Sequence, residues 1–355
     1  MCTACSSENL YAQLDRFRRA LGTQLDTLGV GPVETPSRAA LAEPCLTLKA
    51  YPAAPDTGPV LLLVPAPIKR AYLWDLAPWA SVVRQCIAAG LRVYLLQWEQ
   101  PGERERAFGL ADYADRLILD CVEAMRAETG QPSVFLAGHS LGGTLAALFA
   151  ALHPERLSGL ILLGAPLHFG PQVGAFGPAV AASPSARLLT AALDNVPGSW
   201  LGAISGLVAP GAFAWSRWVD WLTSLTDPQA LWTHLLVERW ALDELPLPQR
   251  LFEDTLEWLY REDRFMQGTL VLGDRCVAPQ QVTAPVLSVV VRRCSITPPE
   301  AVLPFHEAVP STAKELLWYE GDIGVSLQHV GPLVGRQAHQ QLWPAIIRWI
   351  QAHAP

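Results

Sequence analysis

The residues Gly138–Gly142 (Gly-His-Ser-Leu-Gly) form a G-x-S-x-G motif with Ser140 at its centre. The apolar run Ser133–Ala137 before it is typical of a buried parallel strand, and the Ala/Leu-rich run Gly142–Ala150 after it is typical of a helix. Glycines allow a sharp turn, and a helix N-terminus favours developing negative charge. The pattern predicts a nucleophilic serine and acyl-enzyme chemistry. The alternative is a tight turn in which Ser140 is only a small polar residue.

A nucleophilic serine needs a base, which in this strand–turn–helix arrangement comes last in the chain, on the loop after the final strand. His329 meets this condition, because it follows a predicted strand that ends at Tyr319. The alternative is a histidine on a surface loop. Other histidines fit less well, since they lie in the motif itself, in a preceding helix, or in or beyond the last helix: His139, His306, His339 and His353.

Two backbone N–H groups are expected to hold the oxyanion. One is that of Leu141, directly after the serine. The second comes from the loop Val64–Ile68 after the first long strand. Both prolines of this loop lack an N–H, so Ala66 or Ile68 must supply the second donor. The alternative is that the two prolines only shape the turn.

The acid that would orient the base is the weak point of the pattern. After the predicted strand 285–291 no carboxylate occurs until Glu300, which could simply begin a helix, and the alternative position one strand earlier has none. Asp322 and Glu320 precede His329, and Asp322 is the better placed. Three solutions stay open: Asp322 or Glu320, Glu300, or a Ser–His dyad helped by neutral groups or carbonyls.

Short apolar runs alternate with helical patterns along most of the chain. The strand-like runs are 46–51, 59–65, 91–98, 133–137, 160–163, 285–291 and 315–319, and the helical segments are 8–30, 76–89, 111–128, 142–153 and 340–352. This alternation predicts a mostly parallel sheet with helices on both faces, and with the serine turn it predicts the α/β-hydrolase fold.

The alternation stops between residues 168 and 268, which we call the inserted segment. No strand-like run occurs there, and we expect a helical cap over the active site. The predicted domains are an N-terminal helix and lead-in (1–45), the hydrolase core in two parts (46–167 and 269–355), and the cap (168–268). The stripe Trp215, Trp218 and Trp221 has helical spacing. It predicts either core packing or an apolar wall of a substrate tunnel.

The composition excludes several functions. The net charge of −7 without a basic stripe argues against nucleic-acid binding. Cys2 and Cys5 form a C-x-x-C, but no second pair follows, so no metal site is expected and no cofactor is implied. The apolar stretches near 172–214 are interrupted by prolines and charges, which argues against a membrane span. The odd cysteine count and the start of the chain predict a cytoplasmic protein.

Several segments resemble the catalytic subunit of poly(3-hydroxyalkanoate) synthases, chiefly the short type that works with a partner subunit. The resemblance runs from about residue 30 to the C-terminus. The segments that carry it are Leu62–Leu76, Val93–Trp98 with Pro101, Leu110–Tyr113, Leu256–Asp263 and Gly268–Val277. It implies the α/β-hydrolase fold, the base role of His329, and a homodimer or a partner subunit.

The chain departs from this family at three positions. Ser140 stands where the family has a nucleophilic cysteine, Cys294 matches the position of the catalytic aspartate, and His168 replaces an aspartate in a Leu-Asp-Phe stretch. A thiolate passes on its acyl group readily, whereas a serine ester is less activated. Long polymer growth on Ser140 is therefore less expected than a single transfer or hydrolysis.

These observations predict an acyltransferase that takes an acyl group from CoA or a carrier protein through an acyl-Ser140 intermediate. His329 acts as base and then as acid. The first alternative is a hydrolase with the same intermediate, such as an esterase, a thioesterase or a polyester depolymerase. The second is a non-catalytic homologue that binds polyester or a synthase partner, which only the missing acid supports.

Overall fold

The computed structural model describes residues 4–52 and 57–354, with side chains in the first helix from residue 10 onward. The Cys2/Cys5 pair therefore lies outside the described side chains. Eight strands form the main sheet of the described chain: β1 (Arg38–Glu43), β2 (Leu46–Ala50), β3 (Val60–Val64), β4 (Arg92–Trp98), β5 (Val134–His139), β6 (Leu157–Leu163), β7 (Val286–Val291) and β8 (Lys314–Tyr319).

The strand order is β1-β2-β4-β3-β5-β6-β7-β8. β2 runs antiparallel to both β1 and β4, and the remaining neighbours are parallel. Every residue of β3, β5 and β7 is buried, as expected for strands covered on both faces. The predicted fold class is confirmed. Sequence analysis missed β1 because it is an edge strand whose side chains are mostly exposed or half-buried and which lacks an apolar run.

Helices cover both faces of this sheet. Outside the inserted segment they are α1 (Ala4–Thr27), α2 (Val82–Ala88), α3 (Leu117–Thr129), α4 (Leu141–Leu152), α11 (Leu303–Ala308), α12 (Gly331–Val334) and α13 (Trp343–Ala352). The inserted segment, every residue of which is described, carries α5 (Gly177–Ala182), α6 (Ala186–Thr190), α7 (Gly198–Val208), α8 (Ser216–Ser224), α9 (Pro228–Ala241) and α10 (Gln249–Asp254).

The helix predicted over 76–89 is wrong in its first half. Asp75–Ala77 and Ala80–Ser81 pair as a short hairpin, and the helix starts only at Val82. The buried carboxylate of Asp75 accepts a hydrogen bond from the Ser81 hydroxyl (2.6 Å), and Ser81 Oγ in turn accepts the Arg84 N–H (2.9 Å). A side-chain cap at Ser81 thus fixes where α2 begins.

Both interpretations of the tryptophan stripe are wrong. Trp215 is 73% exposed and Trp218 is 63% exposed, so the stripe is not core. None of its three members lines the cavity described below. The helical spacing was correct, since Trp218 and Trp221 sit on α8 with their rings edge to face, 5.7 Å apart. Periodicity shows that residues share a helix face, but not whether anything covers that face.

Candidate active site

Ser140 occupies a strained turn between β5 and α4. Its φ is 55° and its ψ is −132°, values that are uncommon for a residue with a side chain. The Ser140 N–H donates to the Leu163 carbonyl oxygen of the neighbouring strand (3.1 Å), which holds the turn. Such strain persists only where the surroundings enforce it, and it is common at active sites.

Close backbone packing explains the glycines of the motif. A Cβ on Gly142 would lie 2.2 Å from the Val64 carbonyl oxygen, and a Cβ on Gly138 would lie 2.5 Å from the Cα of Gly143. These positions therefore admit only glycine without backbone movement. The first contact also brings the loop after β3 directly against the serine turn. Of the predicted oxyanion residues, Leu141, Ala66 and Ile68 all line the same cavity as Ser140.

His329 lies against the serine. Its Nε2 is 2.8 Å from Ser140 Oγ, within hydrogen-bond reach. His139 Nε2–H donates to the His329 carbonyl oxygen (2.8 Å), and the two rings lie 4.7 Å apart. Burial lowers the pKa of His329 well below its usual value, with a smaller effect from His139. The imidazole is therefore neutral at neutral pH and can accept the serine proton.

Cys294, and not a carboxylate, faces the other ring nitrogen. Its Sγ is 3.3 Å from His329 Nδ1 and accepts the Thr297 N–H at 3.3 Å. Burial raises the pKa of the Cys294 thiol to about 11, against the effect of hydrogen bonds from the Thr297 and Ile296 backbone. The group beside Nδ1 is thus an uncharged thiol. Of the solutions left open by the sequence, this arrangement matches a Ser–His dyad helped by a neutral group.

The expectation that Asp322 orients His329 does not match the structure. The Asp322 carboxylate accepts the Tyr319 hydroxyl (2.6 Å) and the backbone N–H groups of Gln337 (3.0 Å) and Ala338 (3.3 Å). It therefore caps the turn before the last helix. The other two candidates are exposed: Glu320 pairs with Arg292, and Glu300 lies on the turn Pro299–Ala301.

A cavity of about 670 Å³ opens over the serine. Most of its wall is apolar and comes from the inserted segment, including Phe176, Phe213 and Tyr260. Two tryptophans of this segment do line it, Trp200 and Trp240, although the stripe on α8 does not. The volume lies within the range of ligand pockets, and its apolar wall suits an apolar chain.

Charged residues at one side of the cavity were missed by sequence analysis. Lys69 Nζ donates to Glu244 (2.9 Å) and to the Ala241 carbonyl oxygen (2.8 Å), and Arg18 pairs with Glu244 (2.8 Å). Burial lowers the pKa of Lys69 to about 8, although Glu244 acts in the opposite direction. Sequence analysis could not predict this cluster, because Arg18 and Lys69 are far from Glu244 along the chain and no local spacing connects them.

The third departure from the family, His168, is not among the residues that line the cavity over Ser140. His168 Nδ1 donates to Asp263 (2.7 Å), which also accepts the Phe169 N–H (3.1 Å). Across the described residues, no group of three or more His, Cys, Asp or Glu side chains could hold a metal ion. No described helix is long and apolar enough to cross a membrane.

Comparisons with known proteins bear on the fold and on the relatives of this chain. A family model described as "alpha/beta hydrolase fold" matches residues 59–197. The chain is 31% identical to a poly(3-hydroxyalkanoate) polymerase subunit PhaC of Haloferax mediterranei, over 89% of this chain and 64% of that protein. It is 26% identical to the PhaC subunit of Allochromatium vinosum, over 97% of each chain. This chain is a relative of those polymerase subunits.

Solved structures that resemble this chain support its fold and nothing further. A monoacylglycerol lipase of Paleococcus ferrophilus superposes with a TM-score of 0.53 at 19% identity, over 87% of this chain and 99% of that one. A thermophilic esterase of Thermogutta terrifontis gives a TM-score of 0.54 at 16% identity, over 91% of this chain and all of that one. This chain therefore has the α/β-hydrolase fold. Together with the PhaC relatives, that fold supports an enzyme of the acyl-transferring synthase or hydrolase type.

Proposed function

We propose that this PhaC relative is a serine acyltransferase that takes an acyl group from a thioester, CoA or carrier protein. The observation that carries the proposal is the 2.8 Å pair of Ser140 Oγ and His329 Nε2 at the base of an apolar cavity. A nucleophile that lines the cavity, a neutral base and a large apolar wall are what acyl transfer from an apolar chain requires. The inserted segment supplies that wall and would act as the cap.

In the first half-reaction, His329 Nε2 takes the Ser140 hydroxyl proton while Oγ bonds to the thioester carbonyl carbon. The N–H of Leu141 and that of Ala66 or Ile68 would hold the oxyanion. The carbon–sulfur bond then breaks, and His329 returns the proton to the leaving thiolate. In the second half-reaction, an acceptor hydroxyl gives its proton to His329 while its oxygen bonds to the ester carbonyl carbon. The bond between that carbon and Ser140 Oγ then breaks, and His329 returns the proton to Oγ.

The imidazolium that forms in both steps lies beside Cys294. A thiol with a pKa of about 11 gives it no negative charge. In a complete triad a carboxylate stabilises this cation and holds the tautomer. A neutral partner can hold the tautomer only, since Sγ can accept the Nδ1–H (3.3 Å). We therefore expect a slow enzyme, suited to single transfers rather than to long polymer growth.

Hydrolysis is the second candidate, because the same acyl-Ser140 ester can be attacked by water. Exposure of the purified chain to a medium-chain 3-hydroxyacyl-CoA, followed by intact mass measurement, distinguishes the two. For transfer, we expect a persistent acyl adduct that clears when an alcohol or amine is added. Rapid appearance of free acid, with no adduct, would instead establish hydrolysis. Ser140→Ala is the matched control and should give neither outcome.

A further inference from the structure

The loop between Tyr319 and His329 rests on the inserted segment rather than on the core alone. Asp220 of α8 accepts the Gly324 N–H with one carboxylate oxygen (2.9 Å) and the Ser326 N–H with the other (2.7 Å). Gly324 has a φ of 80°, and a Cβ there would lie 2.3 Å from the Ala230 carbonyl oxygen of α9. The chain thus reaches His329 only three residues after a double anchor on the segment.

Asp220 is itself held in place. It is 6% exposed, and His234 of α9, 3% exposed, donates its Nδ1–H to the same carboxylate at 2.7 Å. A buried carboxylate that accepts three hydrogen bonds forms strong, geometrically defined contacts. Next to it, Ser326 donates its hydroxyl to Glu238, which also pairs with Arg217 of α8. Ser326 has a φ of 60°, so these contacts hold the loop in a strained conformation.

We propose that Asp220 is a positioning residue that ties the closed position of α8 to the working position of His329. The proposal rests on the proposed acyl-transfer function. The physical reason is that both amides held by Asp220 belong to the loop that leads to the base. The Asp322 carboxylate instead binds backbone N–H groups beyond His329, those of Gln337 and Ala338. A displacement of α8, which contributes Arg217 to the cavity wall, must therefore break the hydrogen bonds of Asp220 to the loop that leads to His329. The base is then competent only while the inserted segment is closed over the acyl chain.

Asp220→Asn tests this coupling, because an amide keeps the size of the side chain but cannot accept from both backbone N–H groups. The full-length variant is labelled with an alkyl fluorophosphonate over a range of concentrations, and amide hydrogen exchange is followed in peptides covering 321–330. We expect the maximal labelling rate to fall by roughly 10- to 100-fold, as for a misplaced catalytic group. The concentration for half-maximal rate should change little, and Gly324 and Ser326 should exchange faster.

Asp263→Asn is the matched control. Asp263 is another buried carboxylate of the inserted segment, and it too binds a histidine and a backbone N–H, those of His168 and Phe169. Neither partner belongs to the loop that carries His329. Asp263→Asn should label at the rate of the unmodified chain. An Asp220→Asn rate equal to that of the unmodified chain, or an equal loss in Asp263→Asn, overturns the proposal. If Asp220→Asn does not fold, His234→Gln is the substitute, because it removes only the hydrogen bond from His234 to Asp220. We expect it to lower the labelling rate about fivefold. An unchanged labelling rate overturns the proposal.

Hydrogen exchange does not depend on catalysis, which separates the two proposals. If the unmodified chain is not labelled, the proposed function fails. Hydrogen exchange alone then tests whether Asp220 holds the loop: faster exchange of residues 321–330 in Asp220→Asn supports it, and unchanged exchange contradicts it. If the unmodified chain is labelled and the variant is labelled equally fast, the proposed function stands and the coupling is wrong.

Discussion

Replacing Cys294 with aspartate is expected to raise the rate of Ser140 acylation by at least about tenfold. Loss of the charge of a triad aspartate costs about 10⁴-fold in serine proteases, which sets the upper limit of the gain. The surroundings of position 294 suit a carboxylate. Its side chain already faces His329 Nδ1, and the Thr297 N–H, with a contribution from Ile296, points at it. A carboxylate there would stabilise the imidazolium that forms during each transfer.

The pH profile of the same variant gives a second readout. In the unmodified chain the pKa of His329 lies well below its usual value, so the base is neutral and the acylation rate should stay flat between about pH 6 and 8. An aspartate at position 294 favours the charged imidazolium and raises that pKa. The rate of the variant should then fall as the pH drops through the raised pKa.

Cys294→Asn is the control for this prediction, because it offers an oxygen acceptor of the same shape without charge. A gain for aspartate but not for asparagine shows that charge is what the natural site lacks. Equal rates for all three chains, measured as fluorophosphonate labelling per folded molecule, would contradict the assignment of position 294 to the acid.

Replacing His329 with glutamine is expected to lower the acylation rate by at least about 10³-fold. In a related Ser–His–Asp site, loss of the histidine alone costs about as much as loss of the whole triad. Glutamine can still hydrogen-bond to Ser140 Oγ but cannot take up its proton. His139, whose Nε2 donates to the His329 carbonyl oxygen, cannot replace the base. Burial also lowers its pKa to about 4.

The measurement is single-turnover release of CoA from an acyl-CoA, followed in the unmodified chain and in His329→Gln. His339→Gln serves as the control. That histidine is half-buried and hydrogen-bonded to Gln85 and the Leu333 carbonyl oxygen, but it does not line the cavity. A His329→Gln chain that releases CoA at more than about a tenth of the unmodified rate would be inconsistent with general-base catalysis by His329.

The sequence was sufficient for features that rest on local pattern. Buried strands were recognisable as apolar runs. The glycines around Ser140 indicated a sharp turn, and the structure confirms it, because the backbone packs closely against Gly138 and Gly142. Edge strand β1 and the Asp75 hairpin were missed, since an exposed edge has no apolar run and a side-chain cap can shorten a helix whose apolar spacing continues.

Features that depend on distant contacts could not be predicted. Asp322 is close to His329 in sequence, but its carboxylate is occupied by the backbone of the following helix. Asp220 is distant in sequence and yet holds the loop of the base. The resemblance to a known family identified position 294, which spacing alone would have passed over. The exposed tryptophans show that helical spacing does not decide whether a stripe is covered.

The central claim is that Ser140 is an activated nucleophile. The most direct measurement is reaction of the purified chain with an alkyl fluorophosphonate, followed by mass spectrometry of its proteolytic peptides, with Ser140→Ala as the control. We predict one phosphonate adduct, on Ser140, that is absent from the control. No adduct, or an adduct on another residue that persists in Ser140→Ala, would contradict the account.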